Sequence, residues 1–595
     1  MSRLSLIIVA SASAYVAVPA PAADACGGTF CDSGPFVSPV DQAAETVLFI
    51  QDGDFVEAHI QITIDPNTEA QKFAWIVPML AAPEFSVGSQ PLFDALLGST
   101  SPRYLTDGEY CGNDDPSVGF IQDPDGGGTS AEPEVQTQTV GAFEVTTLQG
   151  GTVDAVMQWL GDNGYQQDPA AEPILAEYIA DGHVLVAFRL IPNADVADIH
   201  PVVLRYEGDE PCVPIKLTAI AAAPDMGIRA FFLGESRYAP TNYSHVVVNP
   251  LRLDWNGSDF AYVNAITMAV DEAPGGRGFV TEYAGATDIV GADGLYSDAW
   301  TAAPFAAAGP TEVVDLLNAQ GLAECTPDFC TVPHQLVVAM LLDFLPAPEG
   351  VSPNAFYGCL SCYADMTDFA EWDGPAFAAQ LDERVIDPAR HSRDLLAAWP
   401  YLTRMYTTIS AHEMTVDPTF HPSAELVDVP MSAIADEQCV CDTDSVITLP
   451  DGRMVYNESA MWPNFDAMPY AERLEQIPPA GAPMVDLDNG ALIDEILAAH
   501  NAQYECMPSG SGSGSGSEGG ADTADLTASG PNPSDTSGGS GESSASGGQD
   551  LLDSKGCGCT SDDGGEPGSW LAAAFAALYW IRRRRGATSP SRSSS

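Results

Sequence analysis

Two strand-like runs, residues 46–50 (TVLFI) and 56–64, flank Asp52-Gly53-Asp54, and that order predicts a β-hairpin. In the second run Val56, Ala58, Ile60, Ile62 and Ile64 share one face while Glu57, His59, Gln61 and Thr63 share the other. This is the period of two of a half-buried strand, and it puts His59 on the solvent side. Residues 73–77 (FAWIV) read as a further strand stopped by Pro78. More strand-like runs are predicted at 184–190, 202–206, 229–233, 246–248, 262–270 and 279–283. A helix is expected from Thr152, where Val153, Val156, Met157 and Leu160 form the i, i+3, i+4, i+7 stripe.

From Glu312 the pattern turns helical, at 313–317, 335–345, 377–381 and 395–406, the last kinked or divided by Pro400. Leu492, Ile493, Ile496 and Leu497 define a final amphipathic helix with Asn489 as N-cap. Residues 107–134 lack periodicity and read as a long loop, and no internal repeat is visible. The expected fold class is α+β: a sheet-rich body with a helical C-terminal half, disulfide-stabilised, then a disordered stalk and a short C-terminal apolar helix. The expected divisions are a signal peptide (1–25), a β-rich α+β domain (26–305), a mostly helical region of the same head (306–506), a disordered Gly/Ser/Asp stalk (507–556), a sorting signal (557–585) and a disordered tail (586–595). The stalk has too few apolar residues to offset ordering entropy, and its 509–556 portion has a typical reach of about 35–40 Å.

Composition narrows the class of partner. The chain has 595 residues with 22 basic against 83 acidic, a formal charge of −61. A field of that sign repels nucleic acid and favours cations and basic partners, so nucleic-acid binding is not expected. The carboxylates read first as a solvated surface and second as divalent-cation ligands. Of 13 cysteines, the close pairs are Cys26/Cys31, Cys325/Cys330, Cys359/Cys362 and Cys439/Cys441. In an exported chain these are disulfide candidates, and sequence proximity does not fix their connectivity. Cys359-Leu360-Ser361-Cys362 also has C-x-x-C spacing, but no second such motif lies at zinc-ribbon distance.

Export is read from both ends. Arg3, an apolar run from Leu4 to Val18 and the A-x-A sites Ala20-Pro21-Ala22 and Ala23-Asp24-Ala25 form a secretory leader pattern. Cleavage after Ala25 would expose Cys26, which raises a lipoprotein alternative with a poor lipobox. At the other end, Cys557 and Cys559 precede an apolar run carrying Trp570, Leu571, Phe575, Leu578, Trp580 and Ile581, then Arg582, Arg583, Arg584 and Arg585. The run is short of the ~20 residues of a permanent span, and the arginines would hold its end at the cytoplasmic face.

The tail resembles the myxobacterial C-terminal sorting signal, MYXO-CTERM, in the order of cysteine motif, apolar segment and arginine cluster. The resemblance implies membrane insertion of the precursor, processing near Cys557 and Cys559 by a sorting protease, and anchoring at the cell surface or outer membrane, through lipid on a retained cysteine. The head resembles the bacterial domain of unknown function 2330 family. The residues that carry the likeness are Cys26-Gly27-Gly28 with Phe30-Cys31, Trp75-Ile76-Val77-Pro78, Trp159-Leu160 with Asn163-Gly164-Tyr165, Gly276-Arg277 with 279–283, and 401–404 leading to 413–418. That resemblance implies an exported bacterial protein and supplies no catalytic residues.

The residues themselves offer little chemistry. There is no Walker loop, GxGxxG fingerprint, HExxH helix or nucleophile elbow. His412, Glu413 and Asp417, with His421 nearby, form the one cluster that suggests a metal or acid/base site, against the plainer reading of local caps and solvated histidines. Arg277 and Arg404 are expected in buried pairs with Glu282 or another carboxylate. No cofactor is expected; calcium is conceivable at Asp114/Asp115 and Asp123/Asp125, while Asp486-x-Asp488-Asn489-Gly490 reads better as a capped helix start than a calcium loop. The expectation is therefore a surface-anchored structural or adhesive module with a protein or surface-polymer partner. The alternative is a secreted hydrolase or metal-dependent enzyme using His412, Glu413 and Asp417.

Overall fold

The computed structural model describes residues 29–31, 42–64, 73–108, 135–141, 143–150, 152–162, 169–190, 199–255, 259–326, 329–367, 369, 372–441, 444–457, 462–465 and 467–504. Its centre is a ten-stranded mixed sheet. The strand order is Met484–Asp488, Ala471–Gln476, Ser244–Val248, Gly278–Ala286, Tyr401–Ile409, Ala222–Gly234, Gln42–Asp52, Phe55–Ile64, Val202–Glu207 and Glu84–Val87. The first hairpin is as the pattern predicts: Asp52 pairs with Phe55, and Gly53 takes the φ of 62° that a tight hairpin turn needs. A second sheet of five strands contains Phe73–Met79, Val184–Leu190 and Phe143–Leu148.

The central strands are buried on both faces. Along Gln42–Asp52, Val47 and Phe49 face a core shared with Trp75, Val77 and Phe188 of the second sheet, while Leu48 and Ile50 pack on Leu92, Phe93 and Leu395 of helices Gln90–Thr100 and Asp387–Ala398. His59 is consequently not a solvent-face residue. It is 1% exposed, roofed by the second of those helices. The helix Val153–Asp162 forms where predicted, with the Thr152 hydroxyl accepting from Ala155 N–H and with Val156 and Leu160 buried against the outer face of the second sheet.

Other elements depart from the pattern. Residues 262–270 are helical, within Asp259–Asp271, because Ile266, Ala269 and Val270 make a buried helical stripe. The predicted helix over 395–406 ends at Ala398, since Pro400 cannot continue it, and Tyr401–Ile409 becomes a central strand. The helical stretch of the C-terminal half is thus shorter than expected, and strands return from Tyr401 onward. Pro78 does not stop its strand. It pairs with Leu185, beyond the level of Phe73 to Trp75 where the flanking strand Thr29–Cys31 pairs among the described residues. Asn489 sits at the N-cap of Gly490–Asn501 but its side chain does not cap; Asp488 Oδ1 accepts from Gly490 N–H instead.

Cys325–Cys330 and Cys359–Cys362 are disulfides, and Cys439 is also disulfide-bonded. Cys26, Cys557 and Cys559, the side chains of Cys31 and Cys441, the leader, the stalk, the apolar run from Trp570 to Ile581, Arg582 to Arg585 and the aspartates 114, 115, 123 and 125 lie outside what the structure describes. Among the described residues, no helix is long and apolar enough to cross a membrane.

Candidate ligand-binding cavity

Between the two sheets the packing leaves a cavity of about 260 Å³. Its walls are mostly apolar: Val47, Phe49, Ala58 and Ile60 from the first hairpin, and Val77 and Met79 from the second sheet. The strand that supplies Val47 and Phe49 also supplies Glu45, in phase with them, so the alternation that lines the wall with hydrocarbon sets one carboxyl among it. Glu45 is 4% exposed. Its Oε2 accepts from Gln42 Nε2 at 3.2 Å, and Oε1 has no partner among the described residues. Burial pushes its carboxyl up to about 7, only partly offset by the Gln42 hydrogen bond. The Gln42 amide oxygen is itself buried without a partner among the described residues.

A polar part of the lining comes from Asp417 and Thr419, in the segment from Val416 to Phe420. Val213 N–H donates to Pro418 O at 3.1 Å, and Phe420 N–H to Pro211 O at 3.0 Å. Asn242 donates to Asp417 O at 2.8 Å and accepts from Thr419 N–H at 3.0 Å. So held, the Asp417 carboxylate accepts from Tyr178 O–H at 2.7 Å and Lys216 N–H at 2.9 Å, with Lys216 Nζ at 3.9 Å. Burial raises the Asp417 carboxyl and these donors pull it back. Cys212 lies beside it, a free cysteine whose thiol is pushed up first by burial and then by the Asp417 charge. A thiol so placed stays protonated and is a poor nucleophile.

The predicted cluster does not assemble. The His412 side chain is 82% exposed and no nearer than 3.9 Å to Glu413. Glu413 turns inward, where Oε2 accepts from Ser410 N–H at 2.8 Å and its carboxylate fills the space a Cβ would need at Gly276. Asp417 alone of the three lines the cavity. His421 is buried, bonded to Thr241 Oγ1 at 2.9 Å. Arg404 does form the expected buried pair, Nε to Glu282 Oε2 at 2.5 Å. Arg277 does not: its Nε lies 3.4 Å from Pro274 O and it makes no ion pair among the described residues. Glu45, Tyr178 and Cys212 were not singled out from sequence; the available signal was an acid in register with Val47 and Phe49 inside an otherwise apolar strand.

The class defined by these features is a sheet-rich α+β head enclosing an apolar cavity with one buried carboxyl. Residues 20–420 match the family model of domain of unknown function 2330, described as an uncharacterized protein conserved in bacteria, and the chain belongs to that family. No curated protein and no solved structure matches the chain.

Proposed function

We propose that this is an exported protein, anchored at the cell surface through its C-terminus, whose head is a non-catalytic interaction module of the envelope that takes a small apolar ligand into the cavity between its sheets. The leader pattern, the Gly/Ser stalk and the tail that resembles MYXO-CTERM support export and anchoring. Processing by a sorting protease near Cys557 and Cys559 belongs to the same reading. The observation that carries the ligand is Glu45, a buried acid whose Oε1 has no partner among the described residues and whose side chain lines an apolar cavity. Such an oxygen is stabilised by a ligand hydrogen-bond donor, so the expected ligand is a compact apolar molecule with one amine or hydroxyl end. A volume of about 260 Å³ lies just under the usual ~300 Å³ lower bound of small-molecule sites and sets the size. Among the described residues the protonated Cys212 thiol hydrogen-bonds to no base, and the Asp417 carboxylate is already engaged by Tyr178 and Lys216. The hydrolase reading has no geometric support, because His412, Glu413 and Asp417 diverge.

A thermal-shift screen of small apolar amines and alcohols against the purified protein tests the cavity. Binders should raise Tm in the wild type, lose most of that effect in Glu45→Gln, and lose all of it in Ala58→Phe, which fills the cavity. Equal shifts in all three proteins would place the ligand elsewhere.

A further inference from the structure

We propose that Glu57, His59 and His391 form a binding site for one divalent transition-metal ion, zinc by its ligand chemistry. The site lies on the opposite face of the first hairpin from the cavity and does not depend on it.

Glu57 and His59 are two apart on the strand Phe55–Ile64 and therefore project to the same face. His391, on Asp387–Ala398, comes down on them from above. His59 Nε2 lies 2.8 Å and His391 Nε2 2.6 Å from one and the same oxygen, Glu57 Oε1. The two imidazoles are stacked, centroids 5.7 Å apart and planes 10° from parallel, so both present a nitrogen to one point. All three ligand atoms fall within 4.8 Å of one another.

Two imidazoles and a carboxylate are the donors that zinc accepts at about 2.0–2.2 Å, which for a tetrahedral ion puts neighbouring ligand atoms roughly 3.4 Å apart. Reaching that spacing takes a small opening of the two present contacts. The His391 side chain, 44% exposed, is free to give way, while the buried His59 stays fixed. Glu57 forms no ion pair with lysine or arginine among the described residues, so its charge is balanced only by imidazoles. His391 also lines a groove that carries Asp382, Glu383 and Asp387, whose carboxylates raise the local cation concentration. His59 Nδ1 is buried without a partner among the described residues, so ligation through Nε2 leaves the Nδ1 proton with no acceptor there. The missing second-shell acceptor lowers affinity by roughly 10–100-fold compared with a fully supported site.

The test is titration of the chelator-stripped full chain with Zn²⁺ by calorimetry, and with Co²⁺ by visible absorption. The expected result is one equivalent bound, cobalt bands of a four-coordinate nitrogen/oxygen site, and at least a tenfold loss of affinity in His391→Ala and in His59→Gln. Ca²⁺ and Mg²⁺, which prefer oxygen cages, should not compete. His391→Ala removes a surface side chain, so its unchanged circular dichroism and Tm keep the comparison valid. Absence of stoichiometric uptake, or wild-type affinity in both variants, would overturn the site.

Discussion

Two buried carboxylates in this head illustrate opposite solutions to the same cost. Glu282 is compensated by Arg404, which also donates to Leu97 O at 3.3 Å and Thr100 Oγ1 at 3.2 Å, and by Tyr262 O–H at 2.7 Å. Removing the arginine would leave an uncompensated charge in the sheet core. Arg404→Ala should therefore cost about 3–5 kcal/mol in urea unfolding, and adding Glu282→Gln should recover part of it. Glu45 has Gln42 alone as a partner among the described residues and becomes partly protonated near neutrality. Its carboxyl is raised from 4.5 to about 7 on folding, so the stability it contributes is fully present below pH 4.5 and is lost as pH rises toward 7. Glu45→Gln should match the wild type at pH 4 and exceed it by roughly 3 kcal/mol above pH 7, since each shifted unit is worth about 1.4 kcal/mol. A constant difference across that range in paired denaturation curves would show that Glu45 titrates normally.

At the scale of elements, close approaches decide where the chain tolerates change. Gly276 has φ 66° and sits where a Cβ would fall on the Glu413 carboxylate, whereas Gly294 has φ 87° with open space around it. Gly294→Ala should cost about 1–2 kcal/mol for the left-handed backbone alone, and Gly276→Ala more than that, read as a difference in urea midpoints. The disulfides Cys325–Cys330 and Cys359–Cys362 close short loops in the helical stretch, and each should contribute about 2 kcal/mol on a chain-entropy estimate, seen as a lower Tm after selective reduction. Local pattern made two elements legible from sequence: Phe55–Ile64 alternates apolar with polar residues, although its polar face is roofed and His59 is buried, and Val156 and Leu160 keep helical spacing. The failures came where an element is buried on more than one side. Tyr401–Ile409 is enclosed on both faces and so has no alternation to read, and the apolar run from Tyr262 to Val270 suits a strand as well as a helix. The cavity was invisible because its polar groups, Glu45, Tyr178, Cys212 and Asp417, are brought together from four distant stretches of chain.

For the whole molecule, the ten-stranded sheet separates two sites. On one face it meets the second sheet and leaves the cavity; on the other, helices roof Glu57 and His59. A chain with formal charge −61 will favour cationic ligands at both places. That charge and the predicted stalk suit the proposed anchoring, with the head held in solvent off a membrane. Native mass spectrometry of the protein isolated from its native source reads directly whether the cavity holds a ligand. A small noncovalent adduct is expected that is present under native conditions, released on denaturation, and missing from Ala58→Phe. A wild-type head of the same mass before and after denaturation, unchanged on exposure to small apolar amines, would contradict a ligand in the cavity.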